Sequence, residues 1–191
     1  MLNHSSPLVS VILAVRNGES YVAEALDSVL ASDYRPLEIV VVDGQSSDRT
    51  ADIVQSYETV RYVYQHNLGI ANAYNLGIEA AQGEFVAFIS HDARWLPQKL
   101  STQMAYLQAH PEIQYTVTQF RYFLATGCGL PPGFRSELLD RDLVGYIMET
   151  LVARKSVFTQ VGMFNTHYQL AEDVDWYARA KDLQIPAAVI P

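Results

Sequence analysis

With one cysteine, Cys128, in 191 residues, the chain cannot close an intramolecular disulfide. Its stability must therefore come from a packed core, and the pattern suits a reducing compartment; Cys128 itself reads as a structural residue. Basic residues are scarce: thirteen Lys plus Arg stand against twenty-one Asp plus Glu, a formal charge of -8, with no basic run or tail. That balance excludes broad attraction to a nucleic-acid backbone, so any bound anion must be held locally by backbone donors, a few Arg or a metal. Long apolar runs are missing as well. VILAV and IVVV fall far short of the ~20 residues of a membrane span, and MLNHSSP has neither the charged start nor the apolar core of a signal peptide. A cytoplasmic protein is expected, with contact to the inner face of the membrane limited to its surface. Two glycine cradles are also absent: the loop after the first apolar run reads AVRNGE, not GxGxxG, and no GxxxxGK[ST] occurs. A dinucleotide site and a phosphate loop are both disfavoured.

What is present is a sizeable apolar fraction, 49%, with 18% charged residues, enough for one domain and its core. VSVILAV (9–15), EIVVVD (38–43) and FVAFI (85–89) are short, β-branched or aromatic, and nearly continuous in apolar character, as strands covered on both faces are. Between them, YVAEALDSVL (21–30), TADIVQSY (50–57) and IANAYNLGIEAA (70–81) carry helical spacing, the last stopped by Gln82-Gly83. VRYVY (60–64) reads as an edge strand. This alternation predicts an α/β fold: a Rossmann-like, mostly parallel sheet built from right-handed βαβ units and flanked by helices. Further on, the spacing predicts a helix over 96–109, a strand over YTVTQFRYF (115–123), a loop over ATGCGLPPGFRSE (125–137), a helix over EDVDWYARAKD (172–182) and a last strand at AAVIP. LVGYIMETLVARKSVF (143–158) has no single period and gives no assignment.

In such sheets ligands bind outside the carboxyl ends of the strands. Three segments qualify: Arg16-Asn17-Gly18-Glu19, Asp43-Gly44-Gln45-Ser46-Ser47-Asp48, and Ser90-His91-Asp92. A divalent metal held by a carboxylate is the simplest partner for a phosphate ligand without glycine cradles, and Asp92 stands where it would sit. Ser90 and Asp92 can equally cap a helix starting near Trp95, and Asp43 can serve only to form the turn before Gly44. The acids Glu172, Asp173 and Asp175 open a helix, where they offset its dipole; one of them facing a cleft can instead be a general base.

Taken in order, these segments resemble the family 2 glycosyltransferases, inverting enzymes of the GT-A fold, over nearly the whole chain. LVSVILAVRNGESYVAEALDSVLASDYRPLEIVVVDGQSSDRTADIV resembles their nucleotide-binding opening, QHNLGIANAYNLGIEAAQGEFVAFISHDARWLP their Asn-x-Gly segment and metal strand, and GMF followed by EDVDW their catalytic-base segment. The resemblance implies a single GT-A domain over 1–191, with 1–92 as the nucleotide-sugar-binding half and 93–191 as the acceptor and catalytic-base half, ending short of where family members commonly end. It implies a nucleotide-diphosphate sugar as donor, a divalent metal (Mn or Mg) at Asp92 with His91 alongside, and a glycan or lipid-linked saccharide as acceptor in polysaccharide biosynthesis. Ala14, Val15, Arg16, Asn17, Glu19, Asp43, Asn67 and Gly69 would bind the donor; Asp173, or Glu172 if the pair is shifted by one, would be the base. Ser90 stands where the family's first Asp is common, Ala14-Val15-Arg16 where Pro-x-Tyr is common, and Tyr74 where an Arg is common. The other readings are a GT-A domain kept only as a nucleotide-binding scaffold, which Ser90 favours, and a sugar-phosphate nucleotidyltransferase, which would want a glycine-rich loop where AVRNGE stands.

Overall fold

The computed structural model describes residues 6–139 and 141–191. Its spine is β1 (Val9–Val15), buried at every position. On one side β1 pairs in parallel with β2 (Leu37–Asp43), which pairs with the edge strand β3 (Val60–Tyr64); on the other it pairs in parallel with β4 (Phe85–Ser90). The helices α1 (Val22–Leu30), α2 (Thr50–Gln55) and α3 (Ile70–Ala80) make the crossovers. Both faces of the sheet are covered. One face joins Val11, Leu13, Val41 and Ile89 to α1 and to Leu100, Met104 and Leu107 of α4 (Lys99–Ala109). The other joins Ile12, Val40 and Phe88 to α3 and to Phe158, Phe164 and Trp176. That two-sided cover explains why these strands lack alternation in sequence.

The second part departs from plain winding. The full order is β3-β2-β1-β4-β7-β5-β6, with β8 on β5. β5 (Tyr115–Phe120) and β8 (Ala187–Ile190) are parallel, whereas β6 (Leu143–Val144) and β7 (Val152–Arg154) are antiparallel to their neighbours. The stretch 143–158, which has no readable period, holds β6, a 3-10 turn at Met148–Thr150, β7 and the start of α5 (Val157–Val161). The helix expected from residue 96 begins at Lys99, because the residue before Pro97 is pushed off helical geometry. The strand expected over 115–123 stops at Phe120. The helix expected over 50–57 ends at Gln55, its last turn tightening so that Tyr57 N–H donates to Val54 O. α6 (Glu172–Asp182) lies where expected. Cys128 is exposed. Among the described residues, no helix is long and apolar enough to cross a membrane.

Candidate functional site

The register sets the site. Val15 faces Asp43 and Asp43 faces Tyr64, while Ala14 faces Ser90, so the loops after β1, β2, β3 and β4 emerge along one edge. The first two are clasped together. Asn17 N–H donates to Ser46 Oγ at 2.8 Å and Ser47 N–H returns to Asn17 Oδ1 at 2.8 Å. Arg49 N–H donates to Glu19 Oε2 at 3.0 Å, and Gly18 N–H to Thr50 Oγ1 at 2.8 Å. The side chains of Asn17 and Glu19 thus shape the loop, in which Arg16 is exposed, while Ala14 and Val15 are buried at the end of β1.

Asp43 is only 1% exposed. Its Oδ1 accepts from Ser46 N–H at 3.0 Å, closing the turn, and its Oδ2 accepts from the Tyr62 hydroxyl at 2.7 Å. Burial first, then this bond and the Asp43 charge, raise the Tyr62 phenol, so it stays a donor. Asn67 and Gly69 follow β3, and both carbonyls accept from Gln65 Nε2, at 2.6 and 2.8 Å. Gly69 holds φ +116° as it opens α3, a conformation that favours glycine.

At the end of β4, Ser90 Oγ donates to Asp92 Oδ1, and the chain runs without helix until Lys99, so neither residue caps α4. His91 lies over the β1 loop: a Cβ on Gly18 would stand 2.9 Å from His91 Cδ2 and 2.5 Å from Val15 Cγ2. Asp92 is exposed, and among the described residues no group of three His, Cys, Asp or Glu gathers as a ready metal site. This donor set fits a metal that takes most of its ligands from water and a diphosphate, as Mg commonly does with one or two carboxylates.

The first-turn acids of α6 divide. Asp175 pairs with Arg179 at 2.9 Å, and the same guanidinium donates to Met163 O, tying α6 to the GMF segment. Asp173 Oδ1 accepts from Val174 N–H at 2.7 Å, and Glu172 is buried. Burial, then the Asp173 charge, raises the Glu172 carboxyl. Two groups unassigned from sequence join them. Tyr74, packed edge-on against Phe88 at 5.3 Å, lies within electrostatic reach of Glu149, Glu172, Asp173 and Asp92. Glu149, on the 3-10 turn, is raised by burial and by Asp92 and Asp173, against which Lys99 acts. Lys99 reaches over the Trp95 ring at 4.4 Å and donates to Gln103 Oε1 at 2.7 Å. Glu149's only sequence signal is that it is the one charged residue in LVGYIMETLVA. A separate open groove of about 720 Å³, lined by Glu84, Arg154 and Lys155 among others, lies at the opposite end of β4, away from these carboxylates.

Solved structures of GT-A glycosyltransferases share this doubly wound sheet. TarS of S. aureus superposes with a TM-score of 0.73 at 24% identity, over 95% of this chain and 57% of that one. The mannosyltransferase PcManGT of Pyrobaculum calidifontis, solved with GDP-Man and Mn2+, gives 0.71 at 22% identity over 98% and 55%. The family model for glycosyl transferase family 2 matches residues 10–147, well over half of the chain, and the chain belongs to that family. Among curated relatives, an uncharacterized glycosyltransferase of Rickettsia typhi is 43% identical over 103 residues, 53% of this chain and 32% of that protein. TuaG of Bacillus subtilis, a putative teichuronic acid biosynthesis glycosyltransferase, is 39% identical over 106 residues, 53% and 42% respectively. The matched region is thus less than half the length of either relative.

Proposed function

We propose that this chain transfers a sugar from a nucleotide-diphosphate sugar to an acceptor hydroxyl with inversion, in one in-line displacement. The observation that carries this reading is that Asp92 and Asp173, far apart in the sequence, both act electrostatically on Glu149 and Tyr74. On this reading Asp92 serves the donor side and Asp173 the acceptor side, as a displacement with attack and departure on opposite faces requires. The acceptor oxygen forms its bond to the anomeric carbon, the bond to the diphosphate oxygen breaks, and the acceptor proton passes to Asp173, with Glu172 as the alternative base. Asp43 accepts from the nucleotide base, while the backbone of Ala14, Val15, Arg16 and Asn17, with Glu19, Asn67 and Gly69, builds its pocket. Asp92, with His91 beside it, would hold a divalent metal (Mn or Mg) that neutralises charge on the departing nucleoside diphosphate. On this reading residues 1–92 serve the donor and 93–191 the acceptor. UDP-bound TarS supports a nucleotide-sugar donor and the name of TuaG a role in polysaccharide biosynthesis; the same proposal takes a glycan or lipid-linked saccharide as acceptor and sets the reaction in the cytoplasm at the inner face of the membrane.

Calorimetric titration with UDP, GDP, dTDP, CDP and their sugars, with and without Mn, tests it. One nucleotide class should bind in a Mn-dependent way, and Asp92→Ala should abolish that dependence. Asp173→Asn should bind donor as the wild type does and turn over ~10²- to 10⁴-fold more slowly. A chain that binds no nucleotide sinks the donor reading; normal turnover by Asp173→Asn removes Asp173 from the role.

A further inference from the structure

Residues 145–150 are fixed more firmly than a surface turn requires. Gly145 packs directly on Phe120, where a Cβ would stand 2.5 Å from Cε1 and 2.7 Å from Cδ1. The buried Thr150 hydroxyl lies 2.7 Å from Gly145 O and 2.8 Å from Ile147 O, donating into the pair. From the core, Tyr177 Oη–H donates to Ile147 O at 3.2 Å and Gln103 Nε2–H to Thr150 O at 3.0 Å. On this clamped turn Tyr146 faces outward, and Glu149 is half-buried. Tyr146 keeps 50% of its surface in solvent, its ring edge-on to Tyr177 at 5.2 Å. Tyr177 follows Asp173 by one turn of α6, so Tyr146 packs on the helix that carries Asp173. Glu149 makes no ion pair among the described residues; its own backbone N–H and the Lys99 charge favour the carboxylate, and Asp92 and Asp173 oppose it. A half-buried carboxylate opposed by two others carries a cost to the fold that Lys99 and one backbone donor offset in part.

We propose that this turn is an acceptor subsite for a saccharide ring, with Tyr146 as the platform for the ring's C–H face and Glu149 accepting from two of its hydroxyls. The proposal rests on the reading of Asp173 as the base. A pyranose has one flat face of C–H groups and an edge of hydroxyls, so it is held by an aromatic surface together with a charged acceptor. A serine or threonine acceptor offers neither a ring for Tyr146 nor a second hydroxyl for Glu149. The rigidity of the turn limits the ordering cost of binding, since both groups are held in place before the ligand arrives.

The test is saturation-transfer NMR on the 191-residue chain with UDP (or whichever nucleotide the titration selects) and diamagnetic Mg present. The probes are methyl glycosides of glucose, galactose, N-acetylglucosamine, N-acetylgalactosamine and rhamnose, with N-acetylserine amide as the protein-hydroxyl control. At least one glycoside should receive saturation and the serine amide none. Tyr146→Ala should weaken that glycoside by about tenfold with unchanged nucleotide affinity, and Glu149→Gln should weaken it too. With nucleotide bound, silence from every glycoside, a signal from the serine amide alone, or indifference to both substitutions overturns the subsite and leaves the donor site standing. Failure of the nucleotide itself to bind overturns the donor site and the subsite with it.

Discussion

Lys99 opens the first turn of α4, where a cation opposes the helix dipole, and its ammonium is enclosed over the Trp95 ring although the residue keeps some surface. Burial lowers its pKa to about 7 from 10.5, with Glu149 pulling the other way. Below about 7 the folded and unfolded chains both carry this proton, and enclosing the charge is a full cost to the fold. Between about 7 and 10.5 the folded chain releases the proton while the unfolded chain keeps it, so this group makes stability rise with pH across that window. Lys99→Met, made together with Glu149→Gln so that no carboxylate is left facing an apolar side chain, should remove that rise and stabilise the chain most on the acid side of the window. Urea midpoints across the window read this directly; an undiminished rise would assign it to other groups.

The elements meet at distances that leave little slack, and α3 against β1 is the tightest case. A Cβ on Gly77 would stand 2.4 Å from Ile12 Cγ2 and 3.3 Å from its Cγ1. Overfilling such a contact costs ~1–3 kcal/mol, against a helix-propensity gain of ~0.5–1 kcal/mol from replacing glycine. Gly77→Ala should therefore lower the melting temperature. Adding Ile12→Ala, itself destabilising by ~2–5 kcal/mol, should cost less than the sum of the two, because the second change makes room for the first. Strictly additive losses would mean that α3 shifts away from β1 without strain. The same elements show what the sequence reveals. β1, β2 and β4 are legible because two-sided burial leaves a continuous apolar run, and α6 because its acids and bases sit at matching ends. β7 is not: Val152–Arg154 is too short for any period, and its antiparallel place between β4 and β5 is decided by distant partners. In the site, Asp92 and the Glu172-Asp173 pair are legible because they interrupt or open a regular element. Glu149 and Lys99 are single charges whose neighbourhood exists only once β7 and α4 are docked.

At the scale of the whole molecule, the chain carries a charge of -8, and Asp92, Glu149, Glu172 and Asp173 all act electrostatically on Tyr74. A nucleoside diphosphate approaching this edge meets like charge, with Arg16 the cation on the β1 loop. No three metal-ligating side chains converge among the described residues, so Mn alone should bind weakly and shift the melting temperature little. UDP alone should also shift it little, because carboxylate repulsion remains uncompensated. Together they should raise it by more than the sum of the separate shifts, since the diphosphate supplies the oxygens that the protein lacks and the metal supplies the charge that the diphosphate needs. Ligand at a hundred times its dissociation constant stabilises the folded state by ~2.7 kcal/mol, which is readable in a scanning calorimeter. Asp92→Ala should leave the small single shifts and abolish the excess. A full shift from Mn alone would instead require a preformed metal site, and the carboxylates around Tyr74 would then be its ligands instead of the walls of a donor and acceptor cleft.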